Sequence, residues 1–369
     1  MLKNVKAFIK KEPVFFISAL CAVITVFFVP PDREYLGYID FRVLAILLCL
    51  MAVVAGFKKA GIFNALTYRL LKSTKKGRFL GAVLVMLPFF SSMLVTNDVA
   101  LIIFIPFTIS LLTRLGCKKS IIPLTVMQTV AANLGSMATP VGNPQNLFIY
   151  SAFDLSAGEF FGVTLPLTAV SFFCLLVGSL FLLPDRLEMG ELKKETVNDK
   201  VFLGVCVALF ALSLLTVFRV LPYQLVTVIT VITILFLSRD LFREIDFMLL
   251  LTFICFFVIS ENLGRIEEIR TLLQSLLEKS TLFTSAGASQ IISNVPAAVL
   301  LSAFTDNWKE LLEGVNIGGL GTPVASLASL ITLKFYLKAP DAKLMKFLAV
   351  FTAVNVAGLL VLLVFAMTI

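Results

Sequence analysis

Two stretches of this sequence, NLGSMATPV at 133–141 and NIGGLGTPV at 316–324, are copies of one another. Five of the nine positions are identical, and they include Asn, Gly, Thr and Pro, which are not the default residues of a lipid-facing helix. Each copy interrupts a longer apolar segment with glycine and proline, the two residues that most readily break a helix. The pair indicates a duplicated unit whose apolar helix is broken at the same place in both copies.

Two further matches accompany this pair in the same order along the chain. TNDVA at 96–100 precedes the first copy, and SNVPA at 293–297 precedes the second. Further upstream, IDF occurs at 39–41 and again at 245–247. Three matches in one order indicate that the whole unit is duplicated.

The composition indicates a membrane protein. Of the 369 residues, 59% are hydrophobic and only 15% are charged, whereas roughly 25% of a soluble domain is charged. The apolar residues gather into runs of roughly 20, the length that spans a bilayer. We predict an all-α polytopic membrane protein with about nine transmembrane helices, and an interfacial helix in the basic stretch 58–78. The predicted spans are 13–30, 39–57, 120–150, 161–183, 201–218, 221–237, 246–263, 314–338 and 345–367.

Two further apolar regions, 79–113 and 280–305, are predicted to be re-entrant hairpins. The first is too long for one span, and its middle, at 91–98, is polar. With both hairpins and a cytoplasmic N-terminus, 24 of the 31 Lys and Arg residues lie on the cytoplasmic side, in line with the positive-inside rule. If the first hairpin crossed fully, the basic groups after it would move outside and this bias would largely vanish.

The hairpins and the span count give the two repeats opposite directions. A charged linker and a single extra span, together 184–220, invert the second repeat. We therefore expect the N-terminus in the cytoplasm and the C-terminus outside, in a bacterial inner membrane. The predicted parts are a first repeat 1–183 (hairpin 79–113, broken helix 120–150) and a second repeat 221–369 (hairpin 280–305, broken helix 314–338).

Inverted repeats with matched Gly/Pro interruptions are typical of secondary transporters, whose site lies where the repeats meet. The sequence has no histidine, no C-x-x-C motif and no nucleotide-binding motif, so it favours neither an intramembrane enzyme nor ATP-driven transport. A channel would not need tandem broken helices of opposite direction. We expect no cofactor, no nucleic-acid partner and no metal beyond possible sodium ions.

The interruptions have a chemical consequence. A helix that breaks and restarts leaves free N–H groups at the restart, where the helix dipole favours an anion. Lipid cannot satisfy such groups, so they must be buried or line a wet cavity. The predicted restarts follow Asn97, Asn143, Asn294 and Thr322. The oxygens on the other side of each break could hold sodium. Asp98 is either a site for a coupling ion or proton, or a plain helix cap.

The tips and breaks resemble those of the ion transporter superfamily, which contains divalent anion/sodium symporters, citrate-type carriers, arsenite permeases and some sodium/proton antiporters. The resemblance covers nearly the whole chain and is closest to an uncharacterised, anion-permease-like branch. It implies that the tip asparagines contact substrate, that tips and breaks hold sodium, and that a transport domain slides against a scaffold in a homodimer. The predicted substrate residues are Thr96, Asn97, Asn143, Ser293, Asn294, Thr322 and Pro323. The predicted coupling-ion residues are Asp98, Thr96, Thr139, Gly142, Ser293 and Gly321.

The tips depart from the symporter pattern, because TND at 96–98 and SNV at 293–295 both lack its final threonine. The Asp98 carboxylate is more similar to the arsenite-permease and antiporter branches. The sequence therefore predicts elevator-type secondary transport of a small anion (carboxylate, sulfate or another oxyanion), coupled to sodium or protons. The alternatives are a cation/proton antiporter that uses Asp98 and an arsenite-type efflux permease.

Overall fold

The computed structural model describes residues 12–72, 76–184, 196–197, 199–339 and 341–368. Every regular element in these residues is helical, which confirms the predicted all-α class. The remaining residues, including most of the predicted linker and the basic N-terminus, lie outside the described part. The α-helices are α1 Pro13–Phe28, α2 Phe41–Ala60, α3 Ile62–Lys72, α4 Gly77–Ser91, α5 Asn97–Arg114, α6 Ile121–Ser136, α7 Pro144–Ala152, α8 Ala157–Ser179, α9 Lys200–Val217, α10 Tyr223–Leu237, α11 Phe247–Gly264, α12 Glu267–Lys279, α13 Thr281–Ile292, α14 Asn294–Ser302, α15 Trp308–Ile317, α16 Leu327–Tyr336 and α17 Leu344–Ala366.

Six of the described helices are long and apolar enough to cross a membrane: α2, α5, α8, α9, α11 and α17. Four shorter apolar helices, α1, α4, α10 and α16, accompany them. Seven of the nine predicted spans agree with one of these helices to within a few residues, and the other two, 120–150 and 314–338, are each divided between two helices, α6 with α7 and α15 with α16. α4 and α5 lie in the predicted hairpin 79–113. One start is wrong: α15 begins at Trp308 rather than near 314. Its first turn is polar, so hydropathy missed it, and the Asn307 side chain caps it by accepting the Glu310 N–H at 3.2 Å.

Both predicted hairpins are present as pairs of packed helices. α4 and α5 pack against each other across the turn 92–96. α13 and α14 also pack together, and Ser293 alone separates them. Ser293 has a φ of 74°, a left-handed conformation that a non-glycine residue adopts only under constraint. This strained residue turns the chain at the second tip, where the first tip uses five residues.

The two broken helices hold the hairpins together. α6 packs against both arms of the first hairpin, and α15 packs against both arms of the second. The second halves of the broken helices reach across: α16 packs against α5, and α7 packs against α14. Each hairpin is therefore clamped between the broken helix of its own half and the restarted helix of the other half.

An amphipathic helix precedes each hairpin. α3 lies within the stretch predicted to be interfacial, of which residues 73–75 lie outside the described part. α12 was not predicted. It carries Glu267 and Glu268 in its first turn and Lys279 in its last, an order that suits the helix dipole. The second half thus contains a counterpart of α3 that its lower basic charge concealed.

Five other helices, α1, α2, α9, α10 and α11, form a second layer in which α1 packs against α11, and α2 packs against α9 and α10. α8 and α17 pack against the broken helix α6. Mostly exposed ion pairs join segments at the two ends of the helix bundle. Such pairs contribute little stability, but they show which loops lie together. Each pair joins loops that the charge count assigns to one side: Lys58–Glu244 (2.8 Å), Lys59–Asp240 (3.3 Å) and Lys118–Asp341 (3.0 Å) on one, Arg219–Asp154 (2.7 Å) and Arg265–Asp32 (2.7 Å) on the other.

Candidate functional site

Each hairpin tip is bonded through its backbone to a helix break. In the first half, the Asn97 N–H donates to the Gly142 carbonyl at 3.2 Å. In the second half, the Asn294 N–H donates to the Ala325 carbonyl at 3.0 Å. Asn97 and Asn294 occupy the same position in the matched tips, and Gly142 and Ala325 follow the matched breaks by the same interval. The same bond is therefore made twice.

The threonine of each break makes a second matched bond. The Thr139 hydroxyl donates to the Met93 carbonyl, and the Thr322 hydroxyl donates to the Gln290 carbonyl at 3.0 Å. Gln290 lies in the last turn of α13, where helix carbonyls lack intrahelical partners, and Met93 lies in the turn that follows α4. The two threonines thus cap hairpin arms, and the identical Thr in the duplicated stretch is explained by that bond.

The identical glycine of the duplicated stretch allows close approach of backbones. A Cβ at Gly135 would overlap the carbonyl oxygen of Phe89, and a Cβ at Gly318 would lie 2.9 Å from the Cα of Ala286. Neither neighbour is a flexible side-chain end. Glycine is therefore required at both positions for the incoming arm of each hairpin to reach its broken helix.

Asparagine side chains join the two halves at the centre. Asn133 Oδ1 accepts from Asn97 Nδ2 at 2.9 Å and from Ser326 Oγ of the other half at 3.1 Å. Asn316 Oδ1 accepts from Asn143 Nδ2 of the other half at 3.3 Å. These side chains are 2–5% exposed, so their bonds form out of contact with water and fix the geometry strongly.

The sequence prediction named Asn97 and Asn143 but missed Asn133, Asn316 and Ser326. A signal for the first two was present, because Asn is the identical first residue of both duplicated stretches. A polar residue kept at the same place in two apolar segments predicts a buried hydrogen bond rather than a lipid contact. Ser326 carried only the weaker signal of its alignment with Asn143.

One predicted restart is wrong. The fourth restarted helix, α16, begins at Leu327 with Ser326 as its N-cap residue, not after Thr322. Gly321 has a φ of 108°, so the chain is in a turn at that point. Thr322 is exposed, and Pro323 lies within the break rather than in a first helical turn. The other three predicted restarts coincide with the starts of α5, α7 and α14.

The remaining predicted tip residues surround the same centre. Thr96 is the N-cap residue of α5, and its side chain does not cap the helix. Ser293 Oγ donates to the Ala325 carbonyl at 3.3 Å. Asn294 Oδ1 accepts the next backbone N–H, from Val295, at 3.0 Å, and its amide nitrogen lies against Gly319. Both tip asparagines therefore sit at the start of a helix and beside a break.

Two carboxylic acids lie in this region with a buried oxygen that has no hydrogen-bond partner. Asp98 is in the first turn of α5, and its Oδ1 is unpaired. Glu313 lies one turn before Asn316, is 3% exposed, and has an unpaired Oε1. An ionisable residue at membrane depth is costly and usually functional. Glu313 was missed because the predicted helix began after it.

A buried polar centre between two broken helices and two hairpins, within a bundle of apolar helices, defines this chain as a polytopic membrane transporter. Comparison with known families then identifies the kind of transporter. The chain belongs to the citrate transporter family, which matches residues 8–308. The superfamily predicted from the sequence is thereby confirmed.

Two relatives match most of this chain, and a third matches about a third of it. An uncharacterised transporter of Methanocaldococcus jannaschii is 31% identical over 340 residues, which are 90% of this chain and 91% of the relative. The inner membrane protein YbiR of Escherichia coli is 31% identical over 314 residues, 84% of this chain and 83% of the relative. The silicon efflux transporter LSI3 of Oryza sativa is 33% identical over 134 residues, 36% of this chain and 27% of the relative.

Proposed function

We propose that this protein is a secondary active transporter that moves a small anion by alternating access between two inverted repeats. The single observation that carries the proposal is the matched bonding of tip to break. Asn97 and Asn294 make the same backbone bond in the two halves, and Asn133 and Asn316 each bond to the opposite half. Two equivalent half-sites that meet at one centre suit a substrate that is released to opposite sides in turn.

An anion is favoured by the helix starts. α5, α7, α14 and α16 all begin at tips or breaks, so four positive dipole ends lie around the polar centre. Lys and Arg are absent from the tips and breaks, at 92–97, 137–143, 293 and 318–326. Backbone N–H groups and amide side chains would then bind the anion. This arrangement suits a carboxylate, sulfate or another small oxyanion.

The orientation, the motion and the assembly belong to the same proposal. The distribution of Lys and Arg supports a cytoplasmic N-terminus and an outer C-terminus. A bacterial inner membrane is supported by YbiR, whose name places that relative there. The clamped hairpins and broken helices would move as one transport domain against the layer of α1, α2, α9, α10 and α11, within a homodimer.

Asp98 supports the alternative, a cation/proton antiporter. Its unpaired buried oxygen at the first tip is a place for a proton or cation. The other alternative, an arsenite-type efflux permease, has a parallel in the rice relative, whose name is silicon efflux transporter. Asp98→Asn separates the readings, because an antiporter would lose all exchange, whereas an anion transporter would keep anion binding.

Uptake of labelled citrate, succinate, sulfate and arsenite into proteoliposomes, under sodium and pH gradients, tests the proposal. We expect one anion to be concentrated, and we expect Asn97→Ala and Asn294→Ala to abolish its uptake. Asn64→Ala, on the exposed face of α3, is the control and should transport like wild type. Gradient-driven cation exchange with no anion uptake would establish the antiporter instead.

A further inference from the structure

The two breaks can be tested for sodium from the groups that face them. In transporters with broken helices, sodium is bound by the backbone carbonyls of the unwound segment. A carbonyl whose lone pairs already accept strong hydrogen bonds has little left to offer a cation. The relevant question is therefore which donors reach the carbonyls of each break.

In the second break, the side chain of Gln290 donates hydrogen bonds to two of the carbonyls. Its amide nitrogen Nε2 donates to the Gly318 carbonyl at 2.8 Å and to the Leu320 carbonyl at 2.9 Å. Its oxygen Oε1 accepts the Thr322 N–H at 2.9 Å. The nitrogen also lies 3.2 Å from the Ala286 carbonyl of its own helix, so the amide sits where three oxygens converge, two of them from the unwound segment.

In the first break, the side chain of Asn146 does the same. Its amide nitrogen Nδ2 lies 3.2 Å from the Met137 carbonyl, 3.2 Å from the Thr139 carbonyl and 3.4 Å from the Ser136 carbonyl. Its oxygen Oδ1 accepts Asn316 Nδ2 at 2.7 Å. Three converging oxygens around one small donor have the geometry of a cation cage that is already filled.

The amides of Asn146 and Gln290 both donate to the carbonyl at one equivalent position of the two breaks, but they belong to different helices. Met137 and Leu320 occupy the same position in the two copies of the duplicated stretch, so their carbonyls correspond. However, Asn146 belongs to α7, the restarted helix, whereas Gln290 belongs to α13, a hairpin arm. The repeat places Ser329 opposite Asn146 and Met93 opposite Gln290, neither of which is an amide. Duplication alone therefore does not account for an amide at both breaks.

We propose that the carboxamide nitrogens of Asn146 and Gln290 stand in permanently for the coupling cations of the two breaks, so that this protein binds no sodium there and transports without it. The transport half of this inference rests on the proposed function; the binding half does not. Sodium would have to expel a donor with two N–H groups from a site that is buried at Asn146 and partly buried at Gln290, and a donor left unpaired there is costly. The predicted coupling-ion residues Thr139, Gly142, Ser293 and Gly321 accordingly line breaks that do not fit sodium.

The binding test measures the melting temperature of the purified protein in sodium, potassium or choline chloride at equal ionic strength and pH. A ligand that binds the native state raises this temperature by mass action. We expect wild type to show the same temperature in all three salts. A rise specific to sodium in wild type would overturn the inference.

Gln290→Glu gives the test a positive arm. A carboxylate cannot donate to Gly318 or Leu320, so the change replaces the donor by one further acceptor oxygen and a negative charge beside two freed carbonyls, and it creates a cation site. We expect this variant to gain a sodium-specific rise of a few degrees that Gln274→Glu, the same change on α12, does not show. If Gln290→Glu fails to fold, Asn146→Asp makes the equivalent change in the first break. A folded Gln290→Glu or Asn146→Asp variant whose melting temperature does not rise in sodium would contradict the inference that an amide nitrogen fills a cation cage.

The transport arm separates failure of this inference from failure of the proposed function. We expect anion uptake by wild type to be unchanged when choline replaces sodium on both sides of the membrane. Uptake that disappears in choline would overturn the inference and leave anion transport established. Absence of anion uptake in either salt would overturn the proposed function, while the melting temperatures would still decide whether sodium binds.

Discussion

The two breaks have nearly the same sequence and the same internal bonds, yet their surroundings differ. Val141 and Val324 are the identical last residues of the duplicated stretch. Val141 is 6% exposed, whereas Val324 is 49% exposed. Thr322 is exposed as well, while its counterpart Thr139 is partly buried. The difference therefore arises from what lies against each break.

The first break is covered by the layer that contains α2. Val141 belongs to one buried cluster with Val43, Ile46 and Leu47 of α2, and α2 packs against α7. α11, which corresponds to α2 through the IDF match, packs instead against α1 and the hairpin helix α14. The layer of α1, α2, α9, α10 and α11 thus packs against the restarted helix of the first break through α2, and against the second hairpin through α11.

Under the proposed function, this difference means that the structure is one of two related arrangements. Sliding the transport domain against the scaffold would, under the proposed function, bury Val324 against α11 and expose Val141. The internal bonds of each half would stay intact during that motion, because they lie within the transport domain. Disrupting the bonds within one half would test whether they hold the two breaks in equivalent structures. Changing the contact between α2 and α7 would test what protects the first break.

The largest effect is expected from Gly135→Ala. The added Cβ overlaps the backbone carbonyl of Phe89, which cannot move aside as a side chain could. Overpacking of this kind costs about 1–3 kcal/mol. We expect a lower melting temperature and loss of transport. Gly287→Ala is the control, since nothing lies within 4 Å of its added Cβ. Equal stability of the two variants would show that the close approach of α4 to α6 is not required.

An effect of similar size is expected from Asn133→Ala. Its loss leaves the buried donors of Asn97 and Ser326 unpaired, at about 1–3 kcal/mol for each buried group that finds no new partner. We expect strongly reduced transport in a protein that still inserts. A double-mutant cycle with Ser326→Ala measures the bond between the halves, and we expect coupling of roughly 0.5–3 kcal/mol. Strict additivity would mean that this bond between the halves carries no energy.

The helix starts and breaks were predictable because Gly, Pro and Asn interrupt otherwise apolar runs. The central asparagines were also within reach, since both copies of the stretch begin with Asn. Asn146 and Gln290 were not, because each lacks an amide counterpart in the other half. The start of α16 was misplaced because Pro323 suggested a first helical turn, whereas the φ of Gly321 prolongs the break to Ser326.

The difference between the two breaks could not be predicted from the sequence at all. Val141 and Val324 are the same residue in the same local motif, so no local pattern distinguishes them. Their exposures depend on the position of α2 and α11 relative to the rest, which is a property of the state and not of the segment. Long-range packing, rather than propensity, decides this feature.

Cysteine labelling measures the accessibility of the two breaks without disrupting the bonds inside either half. In a background without the six native cysteines, Val324→Cys should react with a water-soluble maleimide several-fold faster than Val141→Cys. A transported anion that shifts the two arrangements should change the two rates in opposite directions. Equal rates in the absence of substrate would mean that the scaffold does not protect the first break in solution.

The smallest effect is expected from Arg219→Ala, which removes a contact between the α9–α10 loop and the end of α7. Arg219 lies in the loop between α9 and α10, pairs with Asp154 at 2.7 Å, and donates to the Tyr150 carbonyl at 3.2 Å near the end of α7. A partly exposed pair contributes about 1 kcal/mol at most, so stability should hardly change. A free-energy change of that size still alters the ratio of two arrangements about fivefold. We therefore expect faster labelling of Val141→Cys and slower labelling of Val324→Cys. Arg265→Ala, which removes an equally short pair with Asp32 within the scaffold, should leave both rates unchanged. If the two arginine variants label alike, Arg219 does not hold the first break against the scaffold.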